Sequence, residues 1–322
     1  MLSRLEAVLD ERGLLQKLPG KVCEHLRVAR GMAVQQQRIV RWEVKQIQRA
    51  LAGTGAPIVL LKGAAYVMAE VPPARGRLFS DVDFMVPKEQ LVAVEERLLK
   101  NGWEFLKLDA YDERYYRTWM HELPPLQHPD RHIVVDVHHN ILPATSRLHP
   151  DPRLLLDAAR PLGDSRLEVL APADMVLHTA AHMFQDGELQ GDLRDVIDLD
   201  GLMRHFSTEA GFWDGLVSRA RRLELERPLF YALRYTERLL GTPVPQEVKA
   251  SARGGAPPWP TAAIMDALVT RVLVPEHPDH PRWATRVARR LLYVRSHWLR
   301  MPPLLLARHL LRKSLKRRAW AR

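Results

Sequence analysis

The chain has 322 residues, 46% of them hydrophobic and 27% charged, which are the proportions of a soluble globular protein. Its single cysteine, Cys23, excludes internal disulfides and fits a reducing cytosol. No apolar run approaches the roughly 20 residues that a transmembrane helix requires, and the first residues lack the apolar stretch of a signal peptide. We therefore expect a cytoplasmic protein of one or two domains.

The net charge of +10 is concentrated at one end of the chain. Of the 48 lysines and arginines, 13 lie in residues 280–322, which contain no Asp or Glu. The other 35 basic residues share residues 1–279 with all 38 acidic ones. The body of the protein is slightly acidic, so overall charge does not indicate a nucleic-acid-binding function.

Residues 1–53 are predicted to form a helical N-terminal segment. Apolar residues recur at helical spacing on both sides of a break at Pro19-Gly20. We expect two helices with a structural role, packed on the rest of the protein.

A short apolar strand is predicted at Ile58–Leu61, followed at once by a helix over Ala64–Glu70. Gly63 lies at the junction, where a residue without a side chain lets the backbone approach a ligand. The N-terminus of the helix offers unpaired N–H groups to phosphate oxygens. Lys62 precedes the glycine, and its ammonium group is placed to pair with a phosphate. The alternative is an ordinary lysine at a strand end, facing water.

The next predicted strand, Leu78–Val86, carries two acids. Side chains alternate between the faces of a strand, so Asp81 and Asp83 point the same way. Two carboxylates this close repel each other, and Mg²⁺ bound together with substrate phosphates relieves that repulsion. The alternative is a half-exposed strand with two solvated acids. The loop before this strand carries Arg75 and Arg77, which could reach the oxygens of a bound triphosphate, and a surface position is the simpler interpretation of Arg75.

A β-hairpin is predicted downstream of an amphipathic helix at Lys88–Lys100. Its first strand is Glu122–His128, its turn is Pro129–Arg131 and its second strand is His132–His139. Asp136 on the second strand would lie beside the Asp-x-Asp strand and complete a site for two metal ions. This placement makes Asp136 a candidate metal ligand.

His138 shares the face of Asp136, two residues along the same strand. It either contacts a nucleotide or orders the carboxylate. The alternative is a half-buried histidine with a backbone partner, and His139 is expected to be structural.

Three motifs in this order resemble those of the polymerase-beta-like nucleotidyltransferase superfamily, and specifically its uncharacterised bacterial branch of nucleotidyltransferase family proteins. They are Leu61-Lys62-Gly63, Arg77-Leu78-Phe79-Ser80-Asp81-Val82-Asp83 and Asp136-Val137-His138. The resemblance covers residues 55–145, and the segment Ala171–Leu202 is similar to the second half of that branch.

The resemblance implies an α+β fold: a mixed α/β nucleotidyltransferase core with a small mixed sheet, flanked by N-terminal helices and a mostly helical C-terminal half. It implies transfer of a nucleoside monophosphate from an NTP, ATP before others, to an unknown acceptor (small molecule, protein or RNA), with release of pyrophosphate. The implied catalytic residues and ligands of Mg²⁺ or Mn²⁺ are Asp81, Asp83 and Asp136. In the family pattern the third acid lies near the general-base position, so Asp136 is assigned as a metal ligand or as the general base, without separating the roles. The implied nucleotide and phosphate contacts are Lys62, Gly63, Ala64, Arg77, Ser80 and His138.

Ala64 is a departure from the pattern, because many members have a second glycine or a serine at this position. The alternative function is therefore a catalytically degenerate protein that binds nucleotide without chemistry.

After a short strand at Arg166–Leu170 the chain is predicted to be helical. Asp174 is the predicted N-cap of the first helix, on which His178 and His182 share a face. Two histidines at this spacing suit zinc, but the other residues of a zinc-protease motif are missing. Helix packing or substrate contact is therefore the preferred interpretation.

The next predicted helix ends at Leu202 and carries three charged residues that either face the cleft or form internal salt bridges. They are Arg194, Asp195 and Asp198.

Two proline-rich breaks, residues 241–260 and Pro275–Pro281, are predicted loops or linkers. Basic amphipathic helices are predicted over Trp283–Leu299 and Leu304–Trp320. Residues 282–322 would suit an anionic membrane surface or RNA, and the alternative is a helical face docked on the protein body. Peripheral membrane association is therefore kept beside a cytoplasmic location.

These predictions divide the chain into four parts. They are an N-terminal helical segment (residues 1–53), a catalytic core (54–165), a helical domain (166–260) and a basic helical tail (261–322).

Overall fold

The computed structural model describes residues 1–107, 110–163, 166–186, 189, 193–274, 276, 279, 282–302 and 306. Within them, a seven-stranded mixed sheet lies between helices from the two ends of the chain. The predicted α+β class with flanking helices is confirmed.

The predicted N-terminal helices are α1 (Leu2–Glu11) and α2 (Gly20–Ala50), and they pack against each other. The residue before α2 is a proline, which has no N–H to donate and suits a helix start. In the second half of α2, Val40, Val44 and Ile47 are buried at the three- and four-residue spacing of one helix face. This apolar stripe fixes α2 on the sheet and its first connecting helix.

The sheet is built from short strands: β1 (Ile58–Leu60), β2 (Asp81–Met85), β3 (Glu104–Phe105), β4 (Leu126–Gln127), β5 (Val134–His138), β6 (Arg160–Pro161) and β7 (Leu167–Val169). Their spatial order is β3-β4-β5-β2-β1-β7-β6. β2 pairs in parallel with β5, and β1 with β7, whereas the other neighbours are antiparallel. The three central strands are rich in valine and other apolar residues, as expected of strands covered on both faces.

The register of β2 and β5 decides which carboxylates meet. Asp83 is opposite Asp136, and Asp81 is opposite Val134. β5 also forms a hairpin with β4, and the bridge between Glu122 and His138 extends that antiparallel pairing. The predicted hairpin is confirmed, as is the placement of the third acid beside the Asp-x-Asp strand.

The helices that connect the strands are α3 (Lys62–Met68), α4 (Leu91–Lys100), α5 (Ala110–Trp119) and α6 (Pro152–Asp157). α3 packs between α2 and β2 and is almost entirely buried. α4 buries Val94 and Leu98, one helical turn apart, as its amphipathic sequence predicts. These packings place the start of α3 beside the acidic strand β2.

The helices after the sheet are α7 (Pro172–Ala181), α8 (Leu193–Phe206), α9 (Phe212–Arg222), α10 (Glu226–Leu240), α11 (Gln246–Ser251), α12 (Trp259–Leu273) and α13 (Trp283–Arg300). Nearly every residue of α7 is buried, and α8, α9 and α10 pack around it. α7 continues into a π-helical turn at His182–Asp186, where Phe184 stacks on Tyr235 of α10 with ring centroids 5.7 Å apart. The helical half is therefore organised around α7.

The predicted N-cap of α7 is wrong. The cap position belongs to Ala171, and Pro172 is the first helical residue. Asp174 lies within the first turn, fully buried, and both of its oxygens accept hydrogen bonds of 2.7 Å from the guanidinium of Arg219 in α9. This carboxylate therefore joins two helices instead of ending one.

The proline-rich break at residues 241–260 is not an extended linker. It contains α11 and a 3₁₀ turn at Ala252–Gly255, which packs on α10. A side chain on Gly255 would come within 2.1 Å of the carbonyl oxygen of Glu226, so only glycine permits this close approach.

Helix α13 lies in the basic C-terminal tail and confirms the predicted helix at Trp283–Leu299. The prediction for Leu304–Trp320 and most of that for Pro275–Pro281 lie outside the described residues. Among the described helices, none combines the length and apolar character needed to cross a lipid bilayer.

Candidate active site

Three carboxylates converge at the centre of the sheet. Asp81 and Asp83 point from β2, and Asp136 points from the neighbouring strand β5. One oxygen from each lies within 4.8 Å of the oxygens of the other two. The alternation that predicted a shared face for the first pair, and the hairpin that delivers the third acid, together produce this cluster.

Two basic side chains, those of Lys62 and His138, contact the central carboxylate. The ammonium Nζ of Lys62 is 3.9 Å from Oδ2 of Asp83, and Nε2 of His138 is 3.2 Å from Oδ1. Burial opposes the charged form of Asp83, but the attraction of Lys62 and the hydrogen bond from His138 outweigh it and hold the pKa of this carboxyl well below its usual range. Asp83 is therefore an anion at every physiological pH.

The other two carboxylates lack this compensation. Burial, followed by the charges of Asp83 and Glu122, raises the pKa of Asp136 to about 7. Burial and the charge of Asp83 also raise the pKa of Asp81. Among the described residues, the ion pairs within this cluster all go to Asp83. The cluster therefore has more negative charge than the surrounding side chains neutralise.

An oxygen-only donor set with unbalanced negative charge fits a hard divalent cation. Mg²⁺ and Mn²⁺ prefer carboxylate oxygens, and Mg²⁺ is commonly held by one or two carboxylates together with substrate phosphates. The three aspartates, identified from the sequence as metal ligands, thus lie where such an ion would be bound.

Lys62 reaches the cluster through an unusual backbone conformation. It is the first residue of α3 and has a φ of +41°, in the left-handed region that non-glycine residues rarely adopt. The preceding N–H, of Leu61, donates to the carbonyl of Asp83 at 2.9 Å, which locks the end of β1 to β2. The lysine side chain is only 19% exposed. It is not a strand-end lysine in water, because its charge faces the acids.

A cleft opens over the carboxylates and is closed on its far side by helices α7 and α8. Its cavity volume is about 70 Å³. Its lining residues are Lys62, Tyr66, Arg77, Asp81, Asp83, Thr179, His182, Arg194, Asp195 and Asp198. The cleft is therefore shared between the sheet and the helical half of the chain.

Arg77 lines the cleft as part of a buried ion-pair network. Its Nε donates to Oδ2 of Asp198 at 3.0 Å, and Arg4 from α1 binds the other oxygen of the same carboxylate. Both guanidinium groups and the carboxylate are buried. The expectation of internal salt bridges in α8 is confirmed for Asp198, and the alternative that this residue faces the cleft is confirmed as well.

Gly63 is required for a reason that the sequence did not reveal. A side chain there would come within 2.4 Å of Nη1 of Arg77 and 2.7 Å of the ring of Phe79. Ala64, the next residue, is buried in the core. Gly63 thus makes room for the arginine of the cleft, and direct contacts of Gly63 and Ala64 with phosphate stay predictions.

The two histidines predicted to share a helix face have different surroundings. His178 is buried within α7, where burial and the charge of Lys62 hold its pKa well below the usual range. His182 lies on the π turn and lines the cleft, with Nδ1 3.7 Å from a carboxylate oxygen of Asp195. π turns are frequent at functional sites.

Tyr66 and Thr179 are cleft residues that sequence reasoning missed. Their hydroxyl oxygens are 2.7 Å apart and join α3 to α7 across the cleft wall. Both residues read as core positions of apolar helices, so no local signal distinguished them. Ser80, which was predicted, is exposed at the start of β2 and hydrogen-bonds the carboxylate of Asp81.

A known protein family matches most of this chain. The model of a family described as "Uncharacterised nucleotidyltransferase" matches residues 1–241, three quarters of the chain. The comparisons with curated proteins and with solved structures found no match. The matched range contains the three aspartates, Lys62 and all the cleft residues from α7 and α8. The chain belongs to this family of uncharacterised nucleotidyltransferases.

Proposed function

We propose that the protein transfers a nucleoside monophosphate from an NTP to an acceptor nucleophile and releases pyrophosphate, as polymerase-beta-like nucleotidyltransferases do. The observation that carries the proposal is the convergence of Asp81, Asp83 and Asp136 within 4.8 Å beneath a cleft. Family membership supports the reaction class, and the oxygen donor set supports the metal dependence.

In this proposal the three aspartates hold Mg²⁺ or Mn²⁺. When bound, a pair of such ions stabilises the attacking and leaving oxygens of an in-line displacement. Asp83 is kept ionised by Lys62 and His138, so it is ready to bind a cation without first losing a proton. Asp136 is the third ligand or the group that accepts the proton of the acceptor hydroxyl, and its pKa of about 7 in the free protein suits proton transfer.

The phosphates of the nucleotide would be bound by the cations of the cleft. Lys62 lies between the carboxylates and the cleft. Arg77 and Arg4 share the carboxylate of Asp198, so this buried group of two guanidinium ions and one carboxylate has a net positive charge that suits a phosphate oxygen. Ser80, which precedes β2, completes the proposed contacts, with ATP as the expected nucleotide. His138 is buried and hydrogen-bonded to Asp83, so of the two roles predicted for it we propose that it orders a carboxylate.

The test is label transfer from each α-labelled NTP in the presence of Mg²⁺ or Mn²⁺, with cell extract as the source of acceptor. Asp81→Asn and Asp83→Asn should abolish both labelling and pyrophosphate release. Asp130→Asn is the matched control, because Asp130 is exposed in the hairpin turn that precedes β5. Turnover that persists in both site variants would refute the proposal.

A protein that binds nucleotide without chemistry is the alternative at the same site. Ala64, buried beside Gly63, is the feature that favours it, because alanine adds a methyl group relative to the usual glycine and lacks the hydroxyl of the usual serine at the start of α3. Calorimetric NTP binding that depends on Lys62, without any labelled product across acceptors, would select this alternative.

A second candidate function, association with an anionic membrane surface, is favoured by the exposed face of α13. The outward residues Trp283, Val287, Leu291, Val294 and Trp298 are 44–72% exposed and recur every three or four residues. The opposite face, with Ala288 and Leu292, is buried against the protein. α13 therefore presents a second apolar stripe that its own fold does not cover within the described residues.

Basic residues flank this outward stripe. Arg282, Arg286 and Arg290 are exposed and follow the same four-residue repeat, one position before Trp283, Val287 and Leu291. An apolar stripe beside a row of arginines suits a helix that lies in the interface of an anionic bilayer. RNA binding would use the arginines but gives the apolar stripe no partner.

Vesicle co-sedimentation tests this candidate. The full chain should bind vesicles rich in phosphatidylserine and not neutral phosphatidylcholine vesicles. The double variant Trp283→Ala/Leu291→Ala should lower that affinity by about tenfold, since both apolar side chains leave the interface. Val92→Ala, at an exposed valine of α4, is the control. Equal vesicle binding by the double variant and the control refutes the membrane role. Salt-sensitive binding to RNA, without binding to vesicles, would indicate that the arginines bind RNA instead.

A further inference from the structure

A second group of potential metal ligands lies beside the carboxylate cluster. It consists of His121, Glu122 and His138, and one ligand atom from each lies within 4.8 Å of the others. The segment before β4 brings them together, because Glu122 bridges to His138 and the carbonyl of His121 accepts a 2.8 Å hydrogen bond from the N–H of His139. The hairpin register thus collects two imidazoles and one carboxylate at the end of β5.

His138 is oriented as metal-binding histidines are. Its Nε2 is 3.2 Å from Oδ1 of Asp83, and its Nδ1 is 3.4 Å from Oε2 of Glu122. A histidine that binds a metal commonly donates its other ring N–H to a carboxylate. With Nε2–H donating to Asp83, the lone pair of Nδ1 faces Glu122. This nitrogen is buried and accepts no hydrogen bond from the described residues.

His121 brings a second buried nitrogen without a partner. The residue is 6% exposed, and its Nδ1 makes no hydrogen bond within the described part of the chain. The rings of His121 and His138 are 5.2 Å apart between centroids. Two buried imidazole nitrogens without a hydrogen-bond partner among the described residues therefore lie beside the Glu122 carboxylate.

We propose that His121, Glu122 and His138 bind a transition-metal ion, with Zn²⁺ as the best match to two imidazoles and one carboxylate. Zinc sites with three protein ligands keep a further coordination position open. The site shares no ligand with the proposed Mg²⁺ cluster, but the hydrogen bond between His138 and Asp83 connects the two. Zn²⁺ bound by His121, Glu122 and His138 would fix the tautomer of His138 and so hold Asp83 in position to bind Mg²⁺.

The test is a metal titration of the chelator-treated full chain in excess Mg²⁺, which occupies the carboxylate cluster. Co²⁺ is the spectroscopic probe, because a tetrahedral site with nitrogen ligands gives intense visible absorption and an octahedral oxygen site gives weak absorption. We expect one equivalent of Co²⁺ with intense absorption, displaced by Zn²⁺. His121→Ala and Glu122→Gln should each weaken Zn²⁺ binding by about 100-fold.

Two matched controls locate the ion. His139→Ala removes a neighbouring histidine outside the cluster, and Asp81→Ala removes a carboxylate of the other site; both should bind Zn²⁺ like the wild type. The proposal is overturned if Asp81→Ala abolishes binding while His121→Ala retains it. It is also overturned if the wild type gives only weak absorption, a result that does not depend on the folding of any variant. In that case His138 would carry a proton, instead of a metal ion, between the carboxylates of Asp83 and Glu122. Neither result bears on nucleotidyl transfer, because no nucleotide is present.

Discussion

Replacement of Asp136 by Asn should stabilise the metal-free protein while it abolishes nucleotidyl transfer. The folded protein raises the pKa of this carboxyl to about 7, whereas an aspartate in the unfolded chain has a pKa of about 4. Between these values the folded protein holds a proton that the unfolded chain has lost. The free energy of unfolding of the wild type therefore falls as pH rises from 4 to 7 and stays low above pH 7.

The size of the effect follows from the pKa difference. A difference of about three pKa units lowers the free energy of unfolding by about 4 kcal/mol above pH 7. At pH 5 this penalty is about a third as large. Asparagine carries no charge at any pH and escapes the penalty. We expect Asp136→Asn to gain about 2–4 kcal/mol at pH 8, which for a chain of this length raises Tm by about 3–6 °C.

Thermal denaturation at pH 5 and pH 8, in chelator, measures this gain. Addition of Mg²⁺ or Mn²⁺ should raise the Tm of the wild type, because the ion neutralises the cluster, and should have much less effect on the variant. Asp130→Asn is again the control and should show neither response. The reasoning is refuted if Asp136→Asn melts below the wild type at pH 8, or if its gain is the same at both pH values.

Two further predictions concern packing around the cleft. Gly63→Ala should destabilise the protein by about 1–3 kcal/mol because the added methyl group would lie 2.4 Å from Arg77. The control Gly215→Ala, where nothing lies within 4 Å, should not lower Tm. Equal Tm values for the two variants would contradict the prediction for Gly63. Asp198→Asn should lower the free energy of unfolding by about 3–5 kcal/mol because it removes the carboxylate that pairs with the buried guanidinium groups of Arg4 and Arg77. The double variant Asp198→Asn/Arg4→Met should recover part of this loss. An unchanged denaturant midpoint in Asp198→Asn would contradict the prediction.

The carboxylate cluster was predictable because it depends on short-range rules. Strand alternation places Asp81 and Asp83 on one face, and a hairpin with its turn near residue 130 brings Asp136 to the neighbouring strand. The same turn sets Glu122 opposite His138, so the hairpin register itself contained the signal for the histidine cluster. That signal was missed because a glutamate at the start of a strand has no motif of its own.

The helical wall of the cleft was less predictable, since it depends on packing between distant segments. His178 and His182 are four residues apart, and helical periodicity places them on one face. The π turn that starts at His182 changes the number of residues per turn and directs this side chain to the cleft, while His178 stays in the core. Asp174 is a residue type that often caps a helix N-terminus, but here it lies within α7 and pairs with Arg219 of α9.

The network of Arg4, Arg77 and Asp198 also constrains when the cleft can form during synthesis. Its members are separated by up to 194 residues, and they come from the first helix, the loop before β2 and the middle of α8. Contacts between such distant residues form late, because the intervening chain must be ordered first. As the ribosome releases the chain, α1 and the acidic strand emerge long before their counterion on α8. The nascent protein therefore has its carboxylates before it has a cleft, and nucleotide binding should begin only after α8 has left the exit tunnel.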